Sequence, residues 1–148
     1  MSGVAVIVAL LKANAAVTAI VPGNAVPPRI TAGDLPLNTI MPAIAVTQIS
    51  GIPRLTIAMT EPNRLNTDRV QVSVLFKGPA GTPAGAGYPG VRGLLVKVLA
   101  ACPNQNGTIN GIAVDSILPD LEGPDLQDDA TSLFSGSRDF IVKWRSAA

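Results

Sequence analysis

The sequence predicts an α+β domain: a mostly antiparallel sheet of about five strands, packed by two helices and extended by a long hairpin. Three observations predict it. Two segments place apolar residues at helical spacing, one near the start and one centred on Leu94. Several short segments alternate apolar and polar residues with period two. Their order is helix, three strands, helix, two strands, which suits one antiparallel sheet covered by helices. The 148 residues fit a single domain over 1–148.

The first helix is expected over Gly3–Val21, with Ser2 as N-cap and Pro22-Gly23 as its stop. Ile7, Leu10, Leu11, Asn14, Thr18 and Val21 share one stripe, and Val4, Val8, Ala15 and Ala19 occupy the other side. A helix so apolar all round is buried on more than one side, within the domain or against a neighbouring subunit. It is neither a signal peptide nor a membrane span. No basic n-region precedes it, and Lys12, Asn14 and Thr18 interrupt it. The chain is accordingly expected in the cytosol where it is made, with Cys102 reduced.

Residues Pro22–Pro42 form a proline-rich connector without a sustained period, expected to run over the surface. Three strands follow, at Ala43–Ile49, Arg54–Met59 and Arg69–Lys77. The last is the clearest: Val70, Val72, Val74 and Phe76 alternate with Arg69, Gln71, Ser73 and Lys77. The polar stretch Thr60–Asp68 reads as the tip of an extended hairpin. Gly78–Gly90 is too rich in glycine and proline to hold regular structure. A second helix spans Val91–Cys102, with Tyr88 before it as a hydrophobic staple. Asn106-Gly107 and Asn110-Gly111 are turn signals. The remaining strands are Ile112–Leu118 and Phe140–Trp144, the latter with Phe140, Val142 and Trp144 on one face.

Composition excludes most chemistry. With no histidine, the usual general base and the commonest metal ligand are missing. One cysteine makes neither an internal disulfide nor a thiolate metal site. Charged residues are only 14% and the net charge is +1, so there is no basic surface for nucleic acid. The Gly-rich run contains no phosphate-binding fingerprint. The acidic stretch Asp115–Asp129 does not follow a calcium-loop pattern and reads as a solvated or interface loop. No catalytic residue, cofactor site or metal site is expected.

Charge is nevertheless segregated. Six of the ten acids lie in Asp115–Asp129, and no Lys or Arg occurs from Val98 to Ser137. Arg54, Arg64, Arg69 and Lys77 cluster on the hairpin. This pattern suits head-to-tail contact between identical subunits. The candidate contact residues are Glu61, Arg64 and Arg69 on the hairpin, and Asp120, Glu122, Asp125, Asp128 and Asp129 on the acidic segment. Charge reversal at Arg64 and Arg69 is expected to impair docking more than folding.

Several phrases occur in a telling order: the opening helix with Ala9-Leu10-Leu11-Lys12, the connector through Arg29-Ile30 and Leu35-Pro36, Met41–Ser50, Arg69–Phe76, a tyrosine before the second helix, Gly111–Ile117 and Ser137–Trp144. Over nearly the whole chain this order resembles the tail-completion or tail-terminator proteins of tailed bacteriophages. The sequence departs from them in its longer Gly/Pro loop and its more apolar first helix. The resemblance implies a non-enzymatic virion protein at the tail–head junction, present in the host cytoplasm before assembly. It implies a ring, usually a hexamer, capping the head-proximal end of the tail tube. Its partners would be its own copies, the tail-tube protein and a head-side connector or adaptor. DNA would pass through the channel without sequence recognition, and no membrane is involved. The alternatives are another neck adaptor ring, or a small ligand-binding module with an apolar pocket under the Gly-rich loop.

Overall fold

The structure is a computed structural model that describes residues 2–54, 64–77, 88–128 and 130–146. Its elements are α1 (Gly3–Ala13), α2 (Ala15–Thr18), β1 (Ile30–Ala32), β2 (Ala43–Pro53), β3 (Leu65–Lys77), α3 (Tyr88–Ala101), β4 (Gly107–Ile109), β5 (Ile112–Glu122), β6 (Leu126–Asp128) and β7 (Leu133–Arg145). The α+β class holds, with seven strands and three helices described. The strands run in the order β1-β2-β3-β7-β5-β4, with β6 paired to β7. All pairs are antiparallel except β1 with β2.

The single opening helix of the sequence reading is two helices. Asn14 ends α1 in an extended conformation, and its side-chain oxygen accepts from the amides of Ala16 and Val17 at 3.0 and 3.1 Å, starting α2. A short amide side chain competes for backbone donors and so favours caps over helix interiors. Val6, Ile7 and Leu11 are buried, and Val4 and Val8 are partly buried against the same core. The outward side carries Lys12, Ala13, Ala15 and Ala16, all exposed.

The connector is not irregular throughout. Ile30–Ala32 pairs in parallel with Ile44–Val46, and Ile30 is buried. Three residues are too few for a period to show, so the strand is illegible in sequence. A long hairpin forms, but it joins β2 rather than the expected Arg54–Met59 strand to β3, down to the pair Pro53↔Asn66, so residues 65–68, read as part of the tip, belong to the strand. The strand expected at Arg54–Met59 lies beyond β2, and outside the described residues apart from Arg54. Expected at five residues, β7 has thirteen and pairs along its whole length with β3, from Leu65↔Arg145 to Lys77↔Leu133. Ser135, Gly136 and Ser137 hide its early half from a hydropathy pattern.

One face of the sheet carries the core. Val70, Val72 and Val74 of β3 and Phe140, Val142 and Trp144 of β7 face α1 and α3. Burying each large apolar side chain here contributes roughly 1.5–3 kcal/mol. Helix α3 contributes Val91, Leu94, Leu95 and Val98. It reaches the sheet because Gly136 has no side chain: a Cβ there would lie 2.8 Å from Val91 and 2.9 Å from Leu95. The Asn110-Gly111 turn joins β4 to β5, with φ of 50° and 75° at its two residues. Such left-handed pairs are the usual two-residue hairpin turn. No described helix is long and apolar enough to cross a membrane.

Cys102 sits at the end of α3, 1% exposed, and burial pushes its thiol up to about 12. The unfolded thiol ionises at an ordinary value and the folded one does not. Above about pH 9 the unfolded chain therefore binds fewer protons, and stability should fall as pH rises. Urea unfolding at pH 7, 9 and 10 is expected to show this decline in the wild type, and a shallower decline in Cys102→Ala.

Candidate functional site

The sheet face opposite the helices is lined by the alternate residues of the same strands. Arg69, Gln71 and Ser73 of β3 stand beside Ser137, Asp139 and Ile141 of β7, with Leu118 and Asp120 of β5 alongside. No described helix covers this face. Its polar centre is Arg69. Its guanidinium donates to Asp139 Oδ2 at 2.9 and 3.2 Å and stands 3.1 Å from Asp120 Oδ2. Asp139 is 6% exposed while the Arg69 side chain is about a third exposed, so this is a partly desolvated ion pair on a half-buried face. Gln71 Nε2 donates to Ser137 Oγ at 3.3 Å.

The other acids are also engaged within the chain. Arg145 forks onto Asp115 at 2.9 and 3.1 Å. Arg92 of α3 binds Glu122 and Asp125, at 2.5 and 2.6 Å, and lies over the Tyr88 ring. The Tyr88 hydroxyl and the Asp125 carboxylate hold the Arg92 guanidinium well above its ordinary pKa, against the desolvation that opposes them. Tyr88 is thus the first residue of α3 and a partner of Arg92 one turn on, not a staple before the helix. The Asp128 carboxyl is held below the usual range, chiefly by the Thr131 hydroxyl and then by the Ala130 amide.

The segregation of charge along the sequence is therefore satisfied largely inside one chain, where the basic strands β3 and β7 and helix α3 meet the acidic β5–β6 stretch. That stretch is mostly strand rather than loop, since β5 runs through Asp115, Asp120 and Glu122, and Asp128 ends β6. Arg64 precedes β3 and its carbonyl accepts from the Ser146 amide. Glu61 and Asp129 lie outside the described residues. The structure brings Arg69 and Asp120 together, and places Glu122 and Asp125 on one arginine.

Sequence reasoning missed two groups. The pairings of Arg69 and Arg145 depend on which strands lie side by side, and that of Arg92 on how α3 packs against the β5–β6 stretch, neither of which the sequence displays. Asp68 was assigned to a polar hairpin tip, yet it belongs to β3 on the core face. Its Oδ2 accepts from the Gly3 amide at 2.8 Å and from Trp144 Nε1 at 2.7 Å, and the residue is 5% exposed. A signal existed: Asp68 has the same parity as Val70, Val72 and Val74. Gly3 is needed there, because a Cβ would fall 2.9 Å from the Asp68 Cβ.

A cleft of about 330 Å³ opens at the start of α3, lined by Tyr88, Val91, Asp125, Leu126, Phe134 and neighbours. The alternative pocket under the Gly-rich run falls on residues 78–87, which lie outside the described residues. Among the described residues, no group of three or more His, Cys, Asp or Glu side chains is placed to hold a metal ion.

No known family model matches the sequence, and no curated protein matches it. The fold is similar to that of a chain in the solved virion of a native gene transfer agent particle. The TM-score is 0.64 over 98% of this chain and 96% of that one, at 11% identity. Two chains this different in sequence share their architecture from end to end.

Proposed function

We propose that this protein is a structural subunit of a phage-like particle, and that it forms a hexameric ring at the head-proximal end of the tail. In this reading one side of the ring meets the last ring of tail-tube protein and ends its polymerisation. The other side receives the head connector or adaptor, and DNA passes through the channel without being read. The observation that carries the proposal is the end-to-end likeness of fold to a virion chain. Two features support it. The sequence pattern resembles tail-terminator proteins, and no described helix covers the sheet face opposite the core, which has ion pairs at its centre and large apolar side chains at its margins.

The acidic candidates keep a place in this reading. Asp120, Glu122, Asp125 and Asp128 lie on the exposed β5–β6 side, and Asp129 lies next to them in sequence. Arginines of the same chain fix Asp120, Glu122 and Asp125, and Thr131 and the Ala130 amide fix Asp128, while these carboxylates retain acceptor sites for a neighbour. Arg64, just before β3, and Glu61, near the hairpin tip in sequence, would face the tube, while Arg69 stays with Asp139 and Asp120 on the sheet.

The test is electron microscopy of the purified protein mixed with tail-tube protein. Rings seated on one end of tubes of limited length are the expected result. Tubes of unlimited length with uncapped ends would refute the reading. Rings found stacked on the head side of a separate terminator would assign the chain to the adaptor position instead.

A further inference from the structure

The large apolar side chains that remain exposed are not scattered over the sheet. Off the sheet, Val26, Leu37 and Ile40 of the connector and Tyr88 and Val96 of α3 are exposed; on it, Ile49 and Ile52 of β2 are 48% and 65% exposed. Leu118 and Leu121 on β5 and Leu126 on β6 are 38%, 59% and 61% exposed. Ile49 and Ile52 lie at the β1–β2 margin of the sheet and the three leucines at the β5–β6 margin. None of the highly exposed large apolar residues belongs to the central strands β3 and β7.

Both margins are also incompletely covered as strands. The three residues of β1 pair only with Ile44–Val46, so no described strand pairs with the outer edge of Thr47–Pro53. The three residues of β4 pair only with Ile112–Val114, which leaves the outer edge of Asp115–Glu122 in the same state. Open edges invite another chain, and most proteins hide or blunt them. Here Pro53 and Pro119 each remove an N–H donor, which disfavours a continuous backbone ladder and leaves side chains to make the contact.

The two margins differ in charge. The β5–β6 margin stays net negative after its intrachain ion pairs, because Arg69 is shared by Asp120 and Asp139 and Arg92 by Glu122 and Asp125, while Asp115 is matched by Arg145. The β2 edge ends in Arg54, which is exposed and has no ion pair among the described residues. A β5 edge laid against its own copy would set carboxylates against carboxylates. A β5 edge laid against a β2 edge sets apolar groups together and acids towards an arginine.

We propose that these margins are the two halves of one head-to-tail interface between copies of this chain. Ile49 and Ile52 of one copy pack on Leu118 and Leu121 of the next, with Arg54 near the acids of β5. This rests on the ring reading above and names the surfaces that would make the ring. An interface between two different patches uses one side of each copy and leaves the other free, which is how rings and open chains grow.

The experiment uses two full-length variants, Ile49→Asp/Ile52→Asp and Leu118→Asp/Leu121→Asp. The substituted side chains are exposed, and circular dichroism should show both variants folded. Sedimentation of the wild type should give assemblies well above its 15.1 kDa. Each variant alone should be a monomer. The two mixed should form a dimer and nothing larger, because one intact edge of each kind remains. A wild type that stays monomeric, variants that assemble like the wild type, or a mixture that stays monomeric would overturn the proposal.

A second measurement covers variants that fail to fold. Ile52→Cys mixed with Leu121→Cys should cross-link into dimers under mild oxidation, and the chain carrying both should form ladders. Absence of both products would overturn the proposal. Assemblies of unchanged mass in both Asp variants would leave the virion reading standing. Absence of the protein from particles would remove that reading and leave the edge pairing intact.

Discussion

Replacing Asp68 with alanine is expected to lower the stability of the domain by about 3 kcal/mol, read as a fall in the urea midpoint at unchanged slope. The carboxylate is buried and its Oδ2 is shared by the Gly3 amide and the indole of Trp144. Alanine leaves both donors without this partner in a dry site. An unsatisfied buried donor costs roughly 1–3 kcal/mol, and a bond to a charged acceptor is at the strong end of its range. Trp144→Phe should cost less, because Gly3 keeps its acceptor. The Asp68→Ala and Trp144→Phe changes are in direct contact, so they should not add, and the double variant should lose less than the sum. Additive losses would show that the indole bond contributes nothing of its own. Because Gly3 opens α1 and Trp144 lies near the end of β7, one side chain ties together segments far apart in sequence.

Charge reversal at Arg69 should act on folding before it acts on docking. Arg69→Glu is expected to destabilise the chain by about 3 kcal/mol or more. It strips the partner from a buried Asp139 and adds a third carboxylate beside Asp139 and Asp120. Removing one member of a buried pair costs roughly 3–5 kcal/mol, and the partial exposure of Arg69 puts the loss at the lower end. The other oxygen of Asp139 is buried with no hydrogen-bond partner among the described residues, so the carboxylate depends on the oxygen that faces Arg69. Arg69→Met with Asp139→Asn should recover much of the loss. A stable, well-folded Arg69→Glu protein would contradict the argument. Arg69 is for this reason a poor probe of assembly, and the expectation that its reversal spares folding gives way to the register of β3 and β7.

The elements with a long, clean period were legible. Alternation at Val70–Phe76 and at Phe140–Trp144 located the two central strands, and the spacing of Val91, Leu94, Leu95 and Val98 located α3. What could not be read was either too short or too dependent on pairing. β1, β4 and β6 have three residues each and show no period of their own. The break at Asn14 hides in an apolar run whose stripe continues through it. The ion pairs of Arg69 and Arg145 depend on which strands lie side by side. Arg69 and Asp139 are seventy positions apart and meet only because β3 and β7 are in register. Sequence composition correctly marked the acids of 115–129 as unusual, but opposite charge can be met within a chain or between chains, and composition alone does not choose.

The strand that occupies the middle of the sheet is also the one synthesised after every other described element. β3 must wait on one flank for β7, and β5 has its long neighbour missing for the same interval. Growth of the nascent polypeptide therefore holds two unsatisfied borders apart until residues 133–145 arrive, and the closing step joins partners separated by dozens of positions. Such non-local closure is slow and leaves the intermediate prone to association with others like itself. Completion of the sheet thus depends on one long-range pairing, that of β7 with β3 and β5.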